Sequence, residues 1–376
     1  MFVWPTGHVG MMHPVGGAKA KTIFEDFLTY ARASRASVSY KDAKLLLSVG
    51  KNQAETRKSF FEELALLYVP YRSNQVLLTP LGQQLFDLLD GKNLSNLTPA
   101  IARQSTALIV WAMCRSQINR PQSRGVPAPS EADWRSCDVR PYAAAWMAVG
   151  DLGGTLSLDE FLGPLRRLHD ASGYSNVIQS IRQARKSGTQ LATAAELSGG
   201  SLMNYRIYWR SHLSCAEQVL QWDEKLGQFR AHSANWPVVE AALKFQAGCT
   251  GNALRAIQGL RWSSPDDYFM NVAGAACPPF LASGSPTVTI FNGQNLADLR
   301  GFAVVAQGGT YRITGGPALC QLALKMPCFH PTSSSRLLRI DAKQQHLDGS
   351  IELLLGLGRP IANLAVLLSA LDSKND

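Results

Sequence analysis

Apolar residues recur at helical spacing over residues 20–34, and two shorter helical patterns follow. In residues 20–34 the apolar positions fall on one face of a helix with 3.6 residues per turn: Ile23, Phe24, Phe27, Leu28 and Ala31. A short β-prone stretch follows at residues 38–40, and a second helix is predicted over residues 41–49, ended by Gly50. Asn52 is placed to cap a third helix, predicted over residues 53–67.

A β-hairpin and a fourth helix are predicted next. Apolar runs at residues 66–69 and 76–78 flank the polar residues 72–75, which is the pattern of two strands around a turn. Thr79 and Pro80 then open a helix that extends to Leu89, because Thr is a good N-cap and Pro suits the first helical position.

The same order of elements is predicted again in residues 150–247. Helical patterns cover residues 158–169, 175–186, 192–197 and 201–216, and strand patterns at 219–222 and 228–232 precede a helix that ends at 245. The two stretches share negligible sequence identity, so only the order of elements recurs.

These patterns divide the chain into five parts. They are an N-terminal segment (1–19), a first module with an apolar connecting helix (20–118), a proline-rich linker (119–149), a second module (150–247) and a C-terminal module (248–376). In the C-terminal module, strands are predicted at 287–291, 302–306 and 310–314, and helices at 318–325, 351–357 and 362–371. The fold class predicted is mainly α with small β-hairpins, together with a small α/β module at the C-terminus.

The order helix, strand, helix, helix, hairpin, helix resembles the winged helix-turn-helix superfamily. The resemblance covers residues 20–91, and its most specific strings are the leucine-rich one that ends in Leu66-Leu67-Tyr68 and the string Leu78-Thr79-Pro80-Leu81-Gly82. It implies tandem winged-helix modules, with a third winged-helix-like module as an alternative at the C-terminus. Tandem modules also resemble the recognition domains of bacterial type IIS restriction endonucleases and some phage-defence proteins.

The charge balance adds a nucleic-acid partner to this picture. There are 37 Lys and Arg residues against 28 Asp and Glu, a net charge of +9, which favours a polyanion such as double-stranded DNA. In a winged helix the third helix enters the major groove and the hairpin, or wing, contacts the backbone. The candidate DNA-binding residues are therefore Lys51, Gln53, Thr56, Arg57, Lys58, Arg72, Asn204, Arg206, Arg210 and Lys225.

Catalytic chemistry is weakly represented. A PD-(D/E)xK nuclease, which would use Mg²⁺, is an alternative in which Asp267, Asp341 and Lys343 are the catalytic residues. No phosphate-binding G-x-x-x-x-G-K-[ST] string, G-x-S-x-G or H-E-x-x-H occurs. His8 and His13 are possible metal ligands, but a flexible N-terminal segment is the preferred interpretation, so no metal or cofactor is expected.

The function expected is a non-enzymatic DNA-binding recognition subunit of a bacterial multi-protein system, with catalysis on other subunits. A protein–protein adaptor or transcription regulator built from winged helices is a further alternative, since a fold does not fix a function. Seven scattered cysteines without a C-x-x-C pair, no membrane-length apolar run and no signal peptide predict a cytoplasmic protein.

Overall fold

The chain is mainly helical with small antiparallel sheets in a computed structural model, which confirms the predicted fold class. The structure describes residues 4, 11–47, 49–70, 72–121, 136–189, 191, 199–247, 253–282, 303–307, 310–315, 339–345 and 351–356. Contacts divide the chain into two compact units, Met1–Val239 with Ile257–Cys277, and Glu240–Ala256 with Pro278–Asp376. Both predicted winged-helix hairpins lie in the first unit.

The first module has the predicted order of elements. These are α1 (Ala18–Arg35), α2 (Tyr40–Leu45), α3 (Lys51–Glu63), β1 (Leu67–Tyr68), β2 (Leu77–Leu78) and α4 (Pro80–Leu89). β1 pairs antiparallel with β2, and Ser39 forms an antiparallel bridge with Gln75, just before β2. The small sheet therefore has the order residue 39, β2, β1.

An aromatic core joins α1 to α3. Phe24, Phe27 and Phe61 are fully buried, and their ring centroids lie 5.4 to 6.4 Å apart. Burying each such side chain contributes roughly 1.5 to 3 kcal/mol, so this cluster is a major source of the module's stability. The predicted apolar face of residues 20–34 is thus the face that packs on α3.

The start of α4 is fixed by a buried threonine and a close backbone approach. The Thr79 hydroxyl donates to the carbonyl of Ala65 at 2.7 Å and accepts the N–H of Gly82 at 2.9 Å, so it caps α4 as predicted. A Cβ on Gly82 would lie only 1.7 Å from the carbonyl oxygen of Leu66. Only glycine therefore fits at this position.

A helix and a later segment pack onto the first module. Helix α5 (Pro99–Arg115) begins at the Thr98 cap, and the indole of its Trp111 donates to the carbonyl of Ala275 at 2.9 Å. Tyr68 of β1 stacks on Phe269 with ring centroids 4.6 Å apart. Residues 257–277, assigned from sequence to a separate C-terminal module, thus belong to the first compact unit.

The second module repeats the same plan with one extra helix. Its elements are α6 (Pro141–Asp151), β3 (Thr155–Ser157), α7 (Leu158–Leu162), α8 (Tyr174–Ser187), α9 (Gly199–Leu213), β4 (Leu220–Asp223), β5 (Gln228–Ala231) and α10 (Trp236–Ala247). The sheet has the order β3-β5-β4, the same as residue 39, β2, β1 in the first module. The extra element is α8, which lies between α7 and α9 in the chain.

Two boundaries predicted for this module are wrong. Helix α6 begins within the predicted linker 119–149, where Pro141 occupies the first helical turn instead of breaking a helix. The helix predicted over residues 158–169 ends at Leu162, because Gly163-Pro164 interrupts it, and a short 3-10 turn follows at Leu165–Arg167. The helix predicted over 192–197 lies outside the described residues.

Part of the N-terminal segment is packed rather than flexible. Trp4 is fully buried, and its indole donates to the carbonyl of Leu168 at 2.7 Å. His13 is also fully buried, and its Nδ1 accepts the N–H of Val15 at 3.1 Å. Burial lowers the pKa of His13 to about 3, so this imidazole is neutral. His8 lies outside the described residues.

The second compact unit contains a four-stranded antiparallel sheet of order β6-β7-β9-β8. Its strands are β6 (Ala303–Gln307), β7 (Thr310–Gly315), β8 (Arg339–Gln345) and β9 (Ile351–Gly356). The strands predicted at 302–306 and 310–314 are confirmed. Residues 351–357, predicted to be helical, form a strand between β7 and β8, and β8 was not predicted. The elements predicted at 287–291, 318–325 and 362–371 lie outside the described residues.

Candidate nucleic-acid interface

Helix α3 of the first module and helix α9 of the second end in a similar backbone turn. Ala65 after α3 and Cys215 after α9 have φ of 48° and 49°. One residue later, the N–H of Leu66 donates to the carbonyl of Phe61, and that of Ala216 to the carbonyl of Ser211, both at 2.9 Å. These left-handed turns satisfy the last carbonyls of each helix and lead into the first strand of each hairpin.

The start of the second helix is also shared. In the first module, Ser39 forms the β-bridge with Gln75, and its side chain accepts the N–H of Asp42 at the start of α2. In the second module, Ser157 is the last residue of β3, and its side chain accepts the N–H of Glu160 at the start of α7. Such serine caps satisfy a helix N–H that has no partner inside the helix. Helices α3 and α9 are therefore topologically equivalent.

Two of the basic residues predicted on the front of α3, Arg57 and Lys58, are not exposed. Arg57 pairs with Asp26 of α1, and both side chains are largely buried. Lys58 is only 2% exposed and its Nζ lies 3.5 Å from a carboxylate oxygen of Glu62. Removing one partner of a buried pair costs about 3 to 5 kcal/mol, so these charges are committed to the fold. The expectation that Arg57 and Lys58 face DNA is wrong.

The exposed face of α3 instead carries short polar side chains. Gln53, Thr56 and Ser59 are exposed at intervals of three residues. For Lys51 the structure describes the backbone, in the first turn of α3, and not the side chain. The α3 face therefore offers short hydrogen-bonding groups, and the exposed charge described on this helix is the Glu55 carboxylate, which pairs with Lys44 at 2.8 Å.

Helix α9 presents a different face, between α7 and the hairpin. A guanidinium nitrogen of Arg206 lies 3.9 Å from a carboxylate oxygen of Asp159 in α7. A guanidinium nitrogen of Arg210 lies 2.7 Å from a carboxylate oxygen of Glu224 in the hairpin, and the same guanidinium lies 4.8 Å from the centroid of the Trp222 ring. These arginines share a face, as predicted from their spacing. For Asn204 the structure describes the backbone, within α9, and not the side chain.

Apolar side chains are exposed on the same helix. Met203 and Ile207, four residues apart, are 64% and 53% exposed, and Leu226 at the hairpin turn is 59% exposed. Trp209, on another side of the helix, is buried against Phe161 with ring centroids 4.8 Å apart. The α9 face thus combines arginine with apolar surface.

The two predicted hairpin tips carry exposed cations. Arg72 is exposed in the turn between β1 and β2 and has a φ of 61°. Lys225 is exposed in the turn between β4 and β5, where its N–H and that of Leu226 donate to the Asp223 carboxylate at 3.1 Å. Both residues occupy the positions predicted for backbone contact.

Helix α8 is an exposed feature that the sequence-based site omits. Its buried side chains, Tyr174, Ile178, Ile181 and Ala184, anchor it to the module. Arg185 makes a two-point contact with Glu160 at 2.6 and 2.8 Å and donates to the carbonyls of Leu152 and Thr155. Burial acts to raise the pKa of Glu160, but the Arg185 and Ser157 hydrogen bonds outweigh it and lower that pKa.

A buried polar network joins the two modules. The Tyr142 hydroxyl of α6 lies 2.7 Å from Nδ1 of His212 in α9 and donates to the carboxylate of Glu63, the last residue of α3, at 3.3 Å. Arg120 lies 3.6 Å from the same carboxylate. Burial acts to raise the pKa of Glu63, but the charge of Arg120 and the other partners outweigh it and lower that pKa. The ends of α3 and α9 are thus tied to one tyrosine.

The nuclease alternative required an acid on each of two neighbouring strands. Asp267 instead lies in a short helix, α11 (Pro265–Asp267), where its carboxylate accepts the N–H and hydroxyl of Ser263 at 2.8 and 2.9 Å. Asp341 and Lys343 lie on β8, whose described partner strand is β9, so Asp267 is not on the neighbouring strand. The predicted Asp267, Asp341, Lys343 arrangement is wrong in its first member.

Among the described residues, no cluster of His, Cys, Asp and Glu is arranged to hold a metal ion, and no helix has the length and apolarity that crossing a bilayer requires. The described cysteines are buried thiols: Cys114, Cys137, Cys215 and Cys277. No protein-family model matches the chain, and comparison with curated proteins gives no match.

Proposed function

We propose that the protein is a non-enzymatic recognition subunit that binds double-stranded DNA for a bacterial multi-protein system, in restriction or defence against phage. The observation that supports this most is the repeated module, in which the same strand order and helix ends present α3 and α9 beside a hairpin. This is the arrangement by which winged helices bind DNA. Catalysis, on this proposal, belongs to other subunits.

The second module is the main contact surface. The Arg206 and Arg210 side chains are 49% and 37% exposed, and so are partly available to a ligand although each has a carboxylate partner. Exposed ion pairs contribute only about 0 to 1 kcal/mol, so a DNA phosphate can replace the carboxylate at little cost. Lys225 adds a third cation at the hairpin tip.

Salt dependence of duplex binding tests the proposal. The double variant Arg206→Ala, Lys225→Ala is expected to lower affinity for a labelled DNA duplex and to reduce the slope of log K against log salt by about 2, one unit for each lost phosphate contact. Lys19→Ala, Lys92→Ala removes the same charge from exposed positions of the first module and is the matched control. No duplex binding at low salt, or equal slopes for both variants, would contradict the proposal.

A protein-binding adaptor is the second candidate, favoured by the exposed pair Met203 and Ile207. Large exposed apolar side chains that lie together often mark protein interfaces. Replacing both by serine should abolish partner binding, without changing the salt dependence of DNA binding, if the adaptor function is correct. Size-exclusion chromatography with light scattering on both proteins shows whether the partner is a second copy of this chain.

A further inference from the structure

We propose that α8 (Tyr174–Ser187) is a major-groove contact element that uses a row of amide side chains to bind DNA bases. The inference rests on the proposed DNA-binding function and deepens it by naming a surface outside α3, α9 and the hairpins. The row consists of Asn176, Gln179 and Gln183, with Lys186 at its end, and all four side chains are exposed.

The four residues lie on one face. On a helix with 3.6 residues per turn, their spacing confines them to an arc of about 80°, opposite the buried Tyr174, Ile178, Ile181 and Ala184. From Asn176 to Lys186 the helix rises about 15 Å, the length of roughly four base pairs. A helix of this size fits the major groove of B-form DNA.

The chemistry of the row suits base edges. Asn and Gln side chains can make paired hydrogen bonds to N6 and N7 of adenine, and Lys186 at the end of the row can contact a phosphate. Within the described part of the chain, the Asn176, Gln179 and Gln183 amides make no side-chain hydrogen bond to the protein, so a base edge would replace only water.

The local charge also favours a polyanion. Helix α8 contains no Asp or Glu, and two acids that contact it, Asp151 and Glu160, are already engaged. The Asp151 carboxylate accepts from the Tyr174 hydroxyl at 2.8 Å, and Glu160 is paired with Arg185. Arg182 donates to the carbonyl of Asp151 at 2.7 Å, which leaves its positive charge beside the row without a described acid partner.

The anchoring of α8 makes it a rigid platform. Arg182 and Arg185 donate to carbonyls of Asp151, Leu152 and Thr155, at the end of α6 and the start of β3. Gly188, with a φ of 67°, ends the helix in a left-handed turn. A contact helix whose position is fixed in this way needs little reorganisation on binding.

Selection from a pool of labelled DNA duplexes with a randomised central segment tests the inference in the full-length protein. The wild type should enrich a sequence that contains adenines. The triple variant Asn176→Ala, Gln179→Ala, Gln183→Ala should bind that sequence at least about tenfold more weakly, yet bind an unselected duplex as the wild type does. Lys186→Ala should instead weaken binding to both duplexes and reduce the salt slope by about 1.

The matched control is Ser95→Ala, Asn96→Ala, which removes neutral polar groups from an exposed turn of the first module, outside α3, α9 and the hairpins. Thermal unfolding checks that the α8 variant is folded, as expected for exposed positions.

If the triple variant selects the same sequence and binds it with the wild-type affinity, the α8 inference fails while the proposed function stands. If the wild type binds no duplex, both fail. An RNA duplex that competes equally would also overturn the inference, because its major groove is too narrow for a helix.

Discussion

The two modules share a plan but place their charged residues differently. In the first module, Arg57 and Lys58 of the third helix are buried in ion pairs, and the exposed face of that helix carries short polar groups and the Glu55 carboxylate. In the second, the arginines of the equivalent helix are exposed and paired with surface acids. The basic side chains of the equivalent helices therefore stabilise the core in the first module and are accessible to a ligand in the second.

The largest expected effect comes from breaking the buried pair. Arg57→Ala should lower the free energy of unfolding by about 3 to 5 kcal/mol, because the buried Asp26 carboxylate loses its partner. Arg206→Ala in the second module should change it by less than about 1 kcal/mol. Urea denaturation of the two variants measures both values.

A double variant separates the charge effect from lost packing. Asp26→Asn combined with Arg57→Ala should recover part of the loss, because no charge is left unpaired. Equal losses for Arg57→Ala and Arg206→Ala would show that the two helices do not differ in the way described.

The next largest change in the free energy of unfolding is expected for one of two glycines, one in each module. Gly82→Ala in the first module should destabilise by about 1 to 3 kcal/mol or more, since its Cβ would meet the Leu66 carbonyl oxygen. Gly150→Ala in α6 of the second module has no atom within 4 Å and should stabilise by about 0.5 to 1 kcal/mol. Thermal unfolding of both variants checks the sign, and a stable Gly82→Ala protein would contradict the close approach.

A pH dependence, taken over a single pH unit, is carried by His13 in the N-terminal segment. The pKa of His13 is lowered from 6.5 to about 3 by burial, so between these pH values the unfolded chain binds a proton that the folded chain does not. Stability should therefore fall as the pH falls through this window, by up to about 1.4 kcal/mol per pH unit. Replacing His13 by Asn should remove that contribution, and denaturation curves at several pH values would show an unchanged slope if the assignment is wrong.

The sequence pattern predicted the elements of the first module well, because they are amphipathic and have strong end signals. The Thr79-Pro80 start of α4 and the apolar face of α1 are confirmed. The burial of Arg57 could not be predicted, because its partner Asp26 lies on another helix and periodicity treats charged residues as exposed. A helical pattern says nothing of such a pairing.

Local composition misled at two other places. The proline-rich composition around Pro141 is typical of a linker, but Pro141 begins α6. Only the packing of α6 against the rest of the module distinguishes a helix start from a linker here. The run of residues 351–356 is apolar and short, and such a run suits either a helix or a buried strand. Its pairing with β7 and β8 decides for the strand. The α8 row could have been found, since its amides already share a face in the sequence.

The Tyr142 bridge has a consequence for the geometry of a bound target. Because one hydroxyl contacts the carboxylate of Glu63 and the ring of His212, the ends of α3 and α9 are held at a fixed separation. On the proposed function, two parts of one duplex would have to match that separation in both distance and rotational phase. Inserting half a helical turn, about five base pairs, between them would turn one part away from its module. Tyr142→Phe would relax this spacing requirement before it abolished binding.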